Sequence, residues 1–387
     1  MKILFVINNL YVKGNGLDAS ARRTMHELRK AGHDVRVLSG PNKNAAQPQP
    51  DFPLKEFRFP LFQGIIESQG FSYAASDMQV IEKAVRWADV IHLEEAFVLE
   101  IKVRKVAERL GKPITATYHL HPENITHSLG PLRYSKLVNR TILRTFRNLV
   151  YNHCDYIQCP TENVMDRLRR YHIHSKLEVI SNGIIPDACT RPQEPPEDYL
   201  DPSRPLRVVY IGRLSKEKDQ PSLLKAMQYC AHAGRIQLIF AGIGPCAKRY
   251  RKMAQKLYEK GIVGYEPQFV FLDRDGLRDL AAGADLCVHC ATIEVEGLSI
   301  MEAMQQGAVP VIAEGRYTGT SQFALNRRCK FPEKNPEALA NRIDYWLSHP
   351  EERWKMGHRY AQEMEKYNIS LSVKQLAALF QKAIDEH

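Results

Sequence analysis

MKILFVINNLYVKGNGLDASARRTMHELRKAGHDVRVLS, residues 1–39, decides the fold. KILFVIN (2–8) is a short, continuous apolar run, the pattern of a strand covered on both faces. A loop carrying Gly14 and Gly16 follows. Ala19 to Lys30 then reads as a helix ended by Gly32, and HDVRVLS (33–39) resumes as a strand. Strand, glycine-containing loop, helix and strand in that order make a βαβ unit, which builds a parallel sheet.

The alternation continues outward from there. ADVIHLEE (88–95), PITATYH (113–119), CDYIQCPT (154–161) and LEVISNG (177–183) read as strands, with VLEIKVRKVAERLGK (98–112) as a helix between the first two. CTRPQEPPEDYLDPSRP (189–205) holds five prolines and no periodicity, the mark of a linker. After it the pattern restarts. LRVVYIGRL (206–214), IQLIFAGIG (236–244), FVFLD (269–273), DLCVHCA (285–291) and VPVIAEG (309–315) are strands separated by helical stretches. The expected architecture is α/β, two Rossmann-like doubly wound domains facing a cleft. The first spans 1–185, 186–206 is the linker, and the second spans 207–369. The last stretch, SLSVKQLAALFQKAI (370–384), is an amphipathic helix with no strand after it, so helix 370–387 is expected to cross back to the first domain.

Composition sets the limits. The chain has 387 residues, room for two domains of about 150 residues. Its 44% hydrophobic and 25% charged content is that of a folded globular protein. No apolar run approaches the ~18 residues needed to span a bilayer. The N-terminal run is too short, and lacks the small-residue cleavage site, of a signal peptide, so a cytoplasmic location with free thiols on the eight cysteines is expected. The net charge of +10 is uneven: residues 1–178 hold 26 basic against 18 acidic side chains. A basic first half expects an anionic partner.

The most informative segment for chemistry is Glu294-Val-Glu-Gly-Leu-Ser-Ile-Met-Glu302, continued by AMQQGAVPVIA. Glu294 ends an apolar strand, Gly297 makes a turn, and Glu302 lies about one turn into the next helix. Strand ends and helix N-termini are where open α/β sheets bind ligands. The N–H groups near Leu298 and Ser299 suit a phosphate, and a carboxylate on the same helix suits a vicinal diol such as ribose. Arg213 and Lys218, in the loop GRLSKEK (212–218) after VVYI, are cations at another strand end that can neutralise a diphosphate.

These residues resemble glycosyltransferase family 4, whose signature is written E-G-F-G-x-x-x-x-E-A-M-A-x-G-x-P-V. Glu294, Gly297, Glu302, Ala303, Met304, Gly307 and Pro310 fall on it, with Glu296 in place of the usual aromatic. The resemblance implies that Glu294 contacts the donor sugar and Glu302 the ribose hydroxyls. GRLSKEK is similar to the family's G-R-L-x-x-x-K loop, which implies that Arg213 and Lys218 grip the donor diphosphate. Asn15-Gly16 stands where the family has Gly-Gly, implying a close approach of Gly16 to the phosphates. Gly32-His33, Asn182-Gly183-Ile184 and Gly242-Ile-Gly244-Pro245 match further motifs, so the resemblance runs over residues 1–384. His119, closing ITATYH, matches the family's T-x-H histidine beside the reacting sugar, while His121 lies two residues on. Glu94 and Glu95 end another strand on the acceptor side.

Other features read as structural. Cys287-x-x-Cys290 lies in a strand and has no second pair, so zinc is not expected. Gly242-x-Gly244 lacks the rest of a dinucleotide fingerprint, so NAD is not expected. Arg133, Lys136, Arg140, Arg144 and Arg147 fall within a helical sector of about 80°, with Val138, Ile142, Leu143, Phe146, Leu149 and Val150 mainly opposite. This is the pattern of a surface helix with a solvated basic face first, and also of an interfacial helix on anionic lipid, and the two are compatible.

What the resemblance implies is a retaining hexosyltransferase of GT-B type. It moves a hexose from a UDP- or GDP-sugar, needs no metal or other cofactor, and uses His119, Glu294, Arg213 and Lys218 at the reacting centre. The expected partners are the nucleotide sugar, a sugar or lipid acceptor such as a diacylglycerol glycolipid, and the anionic inner face of the plasma membrane. No nucleic acid is expected. Two alternatives stand beside it: a soluble transferase of capsule or cell-wall polysaccharide synthesis, and a non-catalytic GT-B-like protein that binds a polyanion.

Overall fold

The computed structural model describes residues 1–11, 16–42, 44, 46–57, 73–127 and 135–387. Gly14, Asn15 and Arg133, singled out above, lie outside them. The chain divides into two compact units, Met1–Gly183 with Ile369–His387, and Ile184–Asn368.

The first unit contains β1 (Lys2–Val6), β2 (Asp34–Ser39), β3 (Phe52–Pro53), β4 (Glu56–Phe57), β5 (Tyr73–Ala74), β6 (Val90–Leu93), β7 (Ile114–Thr117), β8 (Tyr156–Cys159) and β9 (Lys176–Val179). Seven of them form one parallel sheet in the order β3-β2-β1-β6-β7-β8-β9, while β4 and β5 pair antiparallel apart from it. Ile3, Leu4, Phe5 and Val6 are all fully buried, because helices cover both faces. The described helices that follow these strands are α1 (Gly16–Lys30), α2 (Met78–Trp87), α3 (Val98–Arg109), α4 (Pro122–Thr126), α5 (Lys136–Leu149) and α6 (Glu162–Arg170). Asp77 caps α2 by accepting from Gln79 N and Val80 N, and Thr161 caps α6 in the same way. The sheet order reverses between β1 and β6, and the carboxyl ends of strands at such a reversal are where open α/β sheets bind ligands.

The second unit repeats the plan. It holds β10 (Leu206–Ile211), β11 (Ile236–Ala241), β12 (Gln268–Val270), β13 (Leu286–His289), β14 (Ile293–Glu294), β15 (Val309–Glu314), β16 (Tyr317–Thr318) and β17 (Lys330–Pro332). Six form a parallel sheet in the order β12-β11-β10-β13-β15-β17, reversing between β10 and β13. Around it lie α7 (Gln220–Ala226), α8 (Ala247–Glu259), α9 (Arg274–Ala282), α10 (Leu298–Gln305), α11 (Pro336–Ser348) and α12 (Pro350–Met364). The loops after β10 and β11 touch backbone to backbone: Leu214 N donates to Ile243 O at 2.9 Å, and a Cβ on Gly242 would stand 2.1 Å from Gly212 O. Only glycine fits there, so the two loops are locked together at the carboxyl edge of the sheet.

The final helix, α13 (Ile369–Glu386), belongs to the first unit, where Val373, Leu376, Leu379 and Phe380 join the core beside Ile3 and Phe5. The proline-rich stretch is not a free linker. Residues 186–206 lie within the second unit, and the boundary falls between Gly183 and Ile184. Its prolines cannot donate to a ladder, but its other groups reach far along the chain. Thr190 donates twice to Gln306 Oε1, Arg191 donates to Ala284 O, and Trp354 Nε1 donates to Gln193 O. Arg204 and Arg353 both bind the buried carboxylate of Asp285 at 2.8 Å. Burial would raise the Asp285 pKa, but the hydrogen bond from Arg204 and the two guanidinium charges hold it below the ordinary value. Among the described residues no helix is long and apolar enough to cross a membrane.

Candidate active site

The second unit gathers most of the expected residues at the β10/β13 reversal. Gly212 and Arg213 follow β10, and Lys218 ends the short helical turn Lys216–Lys218. That turn is fixed to the chain after β13, because Thr292 donates through both its N–H and its hydroxyl to Glu217 O. β14 pairs with β16 and so holds Glu294 against Thr318. Lys218 Nζ and Glu294 Oε2 therefore meet in a direct ion pair. His289, the last residue of β13, lies beneath: its Nε2 is 3.3 Å from the same Oε2, yet that nitrogen makes no hydrogen bond. Burial opposes ionisation of Glu294, but the Lys218 ammonium outweighs it and holds the carboxyl down at about 2. Burial keeps the His289 imidazole below its ordinary pKa, so it is neutral at pH 7.

Gly297 turns the chain from β14 into α10 with φ +96°, and a Cβ there would press within 2.8 Å of Thr320 Oγ1. The N–H groups of Ile300 and Met301 close onto Gly297 O. Leu298 and Ser299 are thus left to present the open N–H groups of the first turn. The Ser299 hydroxyl turns back to donate to Ile211 O at 3.0 Å, tying the helix start to the end of β10. Glu302 is half-buried on the same helix. A carboxylate, an ammonium, two open N–H groups and Arg213 thus share one sheet edge, which suits a ligand combining hydroxyls with a polyphosphate.

The first unit places His119 and Glu94 together. His119 Nε2 lies 2.5 Å from Glu94 Oε2, and both side chains are buried. Burial would raise the Glu94 pKa, but the charge and hydrogen bond of His119 hold it below the ordinary value. His121, two residues on, belongs to the interior instead: its Nδ1 contacts Tyr118 OH and Arg167, each at 3.1 Å. Glu95 is taken up by Asn8, whose N and Nδ2 both donate to its Oε2 at 2.8 Å. Asn8 Nδ2 also reaches Glu100 Oε1 at 3.0 Å. Burial, with the charge of Glu95, pushes Glu100 up to about 8. Gly16 opens α1 and is exposed, and a Cβ there would meet nothing within 4 Å.

The basic helix follows its helical-wheel arithmetic except at Arg147 and Leu149. α5 buries Asn139 and Leu143, while Leu137 is 71% exposed and Leu149 39%. Lys136, Arg140 and Arg144 are exposed, whereas Arg147 is half-buried and donates to Tyr171 O. Val150 is buried as well, and Val138, Ile142 and Phe146 are half-buried, so the apolar side faces inward with only Leu149 of the six outside it. Among the described residues no group of three His, Cys, Asp or Glu side chains could hold a metal ion. Sequence reasoning passed over His289, Asn8 and Glu100. His289 ends a buried strand just before Glu294, the signal that singled out His119.

Residues 14–188 match the Glycosyltransferase Family 4 domain, and residues 193–364 match Glycosyl transferases group 1. The alpha-monoglucosyldiacylglycerol synthase of Streptococcus pneumoniae is 25% identical over 337 residues, covering 81% of this chain and 71% of its own. The GDP-mannose-dependent alpha-mannosyltransferase of Mycolicibacterium smegmatis is 24% identical over 325 residues, covering 81% and 79%. Among solved structures, Anabaena HepE in complex with UDP and glucose superposes with a TM-score of 0.71 at 17% identity, over 99% of this chain and 100% of that one. The fold is GT-B, and the two domain matches follow one another along nearly the whole chain. It belongs to the family 4 type of glycosyltransferase.

Proposed function

We propose that this chain is a retaining hexosyltransferase that moves a hexose from a UDP- or GDP-sugar to a membrane glycolipid of the diacylglycerol class, without a metal ion. The observation that carries the donor half is the Lys218–Glu294 pair set beside the open N-terminus of α10. Arg213, Lys218 and the N–H groups of Leu298 and Ser299 stabilise the departing diphosphate, supplying the positive charge a metal would otherwise bring. Glu294 orients the sugar, Glu302 accepts from the ribose hydroxyls, and His119 lies beside the reacting carbon. Gly16 leaves room for the phosphates.

The streptococcal relative's name supports a lipid acceptor, and the mycobacterial relative and HepE between them keep GDP and UDP donors in view. The exposed Lys136, Arg140 and Arg144 beside exposed Leu137 suit contact with anionic headgroups at the cytoplasmic face of the membrane. Calorimetry of Glu302→Ala with UDP, UDP-glucose, GDP and GDP-mannose tests the reading. Loss of at least tenfold in nucleotide affinity, about 1.4 kcal/mol, is expected. Unchanged affinity removes the ribose role.

A further inference from the structure

The donor site contains a buried polar group that the function above does not use. His289 is 2% exposed, and its Nε2 has no hydrogen-bond partner. Buried polar groups are nearly always bonded, and an orphan lowers stability. Nothing in the strand requires a polar side chain here: the preceding residues of β13, Leu286 to Val288, are apolar and buried. The ring is nevertheless held in place. It lies parallel to Tyr210 at 6.2 Å between centroids, and the Tyr210 hydroxyl donates to Lys218 O at 2.9 Å. One tyrosine therefore braces both neighbours of Glu294. The carboxylate presents Oε2 to Lys218 and His289 together. Its Oε1 has no partner among the described residues.

We propose that His289 is a positioning residue for Glu294: when Oε1 takes up a hydroxyl of the donor sugar, the carboxylate moves into line with His289 Nε2–H, and the imidazole holds it there by a hydrogen bond. The separation of 3.3 Å is already within reach and only the alignment is missing. A neutral donor suits the task. It orients the carboxylate without adding a second cation beside Lys218, so the negative charge stays available to the sugar. The inference rests on the reading of Glu294 as the sugar-contacting residue.

The test compares His289→Leu, His289→Gln and Glu294→Gln, each titrated with UDP, UDP-glucose, GDP and GDP-mannose and each melted thermally. His289→Leu should lower affinity for the sugar nucleotide about tenfold, the worth of one hydrogen bond to a charged group, and leave the nucleoside diphosphate within about twofold. Its melting temperature should equal or exceed that of the wild type, because the orphaned nitrogen is gone. His289→Gln retains a terminal N–H donor and should recover most of the lost affinity. A purely structural histidine would instead lower the melting temperature and weaken both ligand classes alike, and that result overturns the proposal. So does full retention of sugar-nucleotide affinity in His289→Leu where Glu294→Gln loses it. If Glu294→Gln itself fails to separate sugar nucleotide from nucleoside diphosphate, the reading of Glu294 falls, and the inference with it.

Discussion

Glu294→Gln offers a quantitative prediction. The substitution keeps the size of the side chain and removes its charge. Glu294 is held at about 2 against an ordinary 4.5, with burial opposing and Lys218 prevailing. Holding the carboxyl at about 2 instead of 4.5 corresponds to about 3 kcal/mol in favour of the ionised, paired form. The side chains of Glu294 and Lys218 are only 15% and 20% exposed, so solvent screening trims this to about 2–3 kcal/mol. At pH 7 the variant also leaves the Lys218 ammonium largely buried without its counter-charge. Because the folded-state pKa lies below the unfolded one, the stabilisation is complete above pH 4.5 and is lost as the pH falls towards 2. Trp346 and Trp354 both lie in the second unit, so urea unfolding followed by their fluorescence in a Trp87→Phe background reports on it. The gap between parent and variant should be about 2–3 kcal/mol at pH 7 and should narrow steadily between pH 4.5 and 3. A gap below about 0.5 kcal/mol at pH 7, the worth of an exposed pair, contradicts a desolvated Lys218–Glu294 pair. So does a gap that does not change with pH.

Glu100 behaves in the opposite sense: its carboxyl, pushed up to about 8 by burial and Glu95, binds a proton in the folded state that the unfolded chain gives up above pH 4.5. Glu100→Gln keeps an acceptor for Asn8 and Phe97 N, so its melting temperature relative to wild type should rise between pH 5 and 8.5; a constant difference contradicts this. Charge reversal of Lys136, Arg140 and Arg144 together should abolish flotation with vesicles containing phosphatidylglycerol and leave flotation with neutral vesicles unaltered. Equal flotation of both proteins on anionic vesicles removes the membrane reading.

Much of this was legible in the sequence because it depends on local pattern. KILFVIN and VVYI are apolar runs closed by glycine loops, and such runs become central parallel strands. Strand ends then locate Arg213 after VVYI, Glu294 beyond DLCVHCA and His119 at the close of ITATYH, without knowledge of packing. What escaped depends on partners far away in the chain. The proline-rich stretch lacks periodicity, yet Thr190, Arg191 and Arg204 secure it to Gln306, Ala284 and Asp285 about a hundred residues on. The helix at 136–149 shows the limit of wheel arithmetic. It gives the angle between the basic and apolar residues, but α4 and the turn Tyr151–His153, not α5 itself, decide which side is buried, and that side holds Asn139 as well as Leu143. Asn139 is retained inside because Thr126 donates to it at 2.6 Å. Such a contact leaves no mark on periodicity.

The proposed reaction is transfer from a nucleotide sugar with retention of the anomeric configuration. It is tested most directly by incubating the protein with UDP-glucose or GDP-mannose and vesicles containing diacylglycerol and monoglucosyldiacylglycerol, then reading the anomeric configuration of the new linkage by NMR. An α-linked product from the α-linked donor is the expected result. A β-linked product, or no transfer from any nucleotide sugar to any acceptor in the panel, contradicts it.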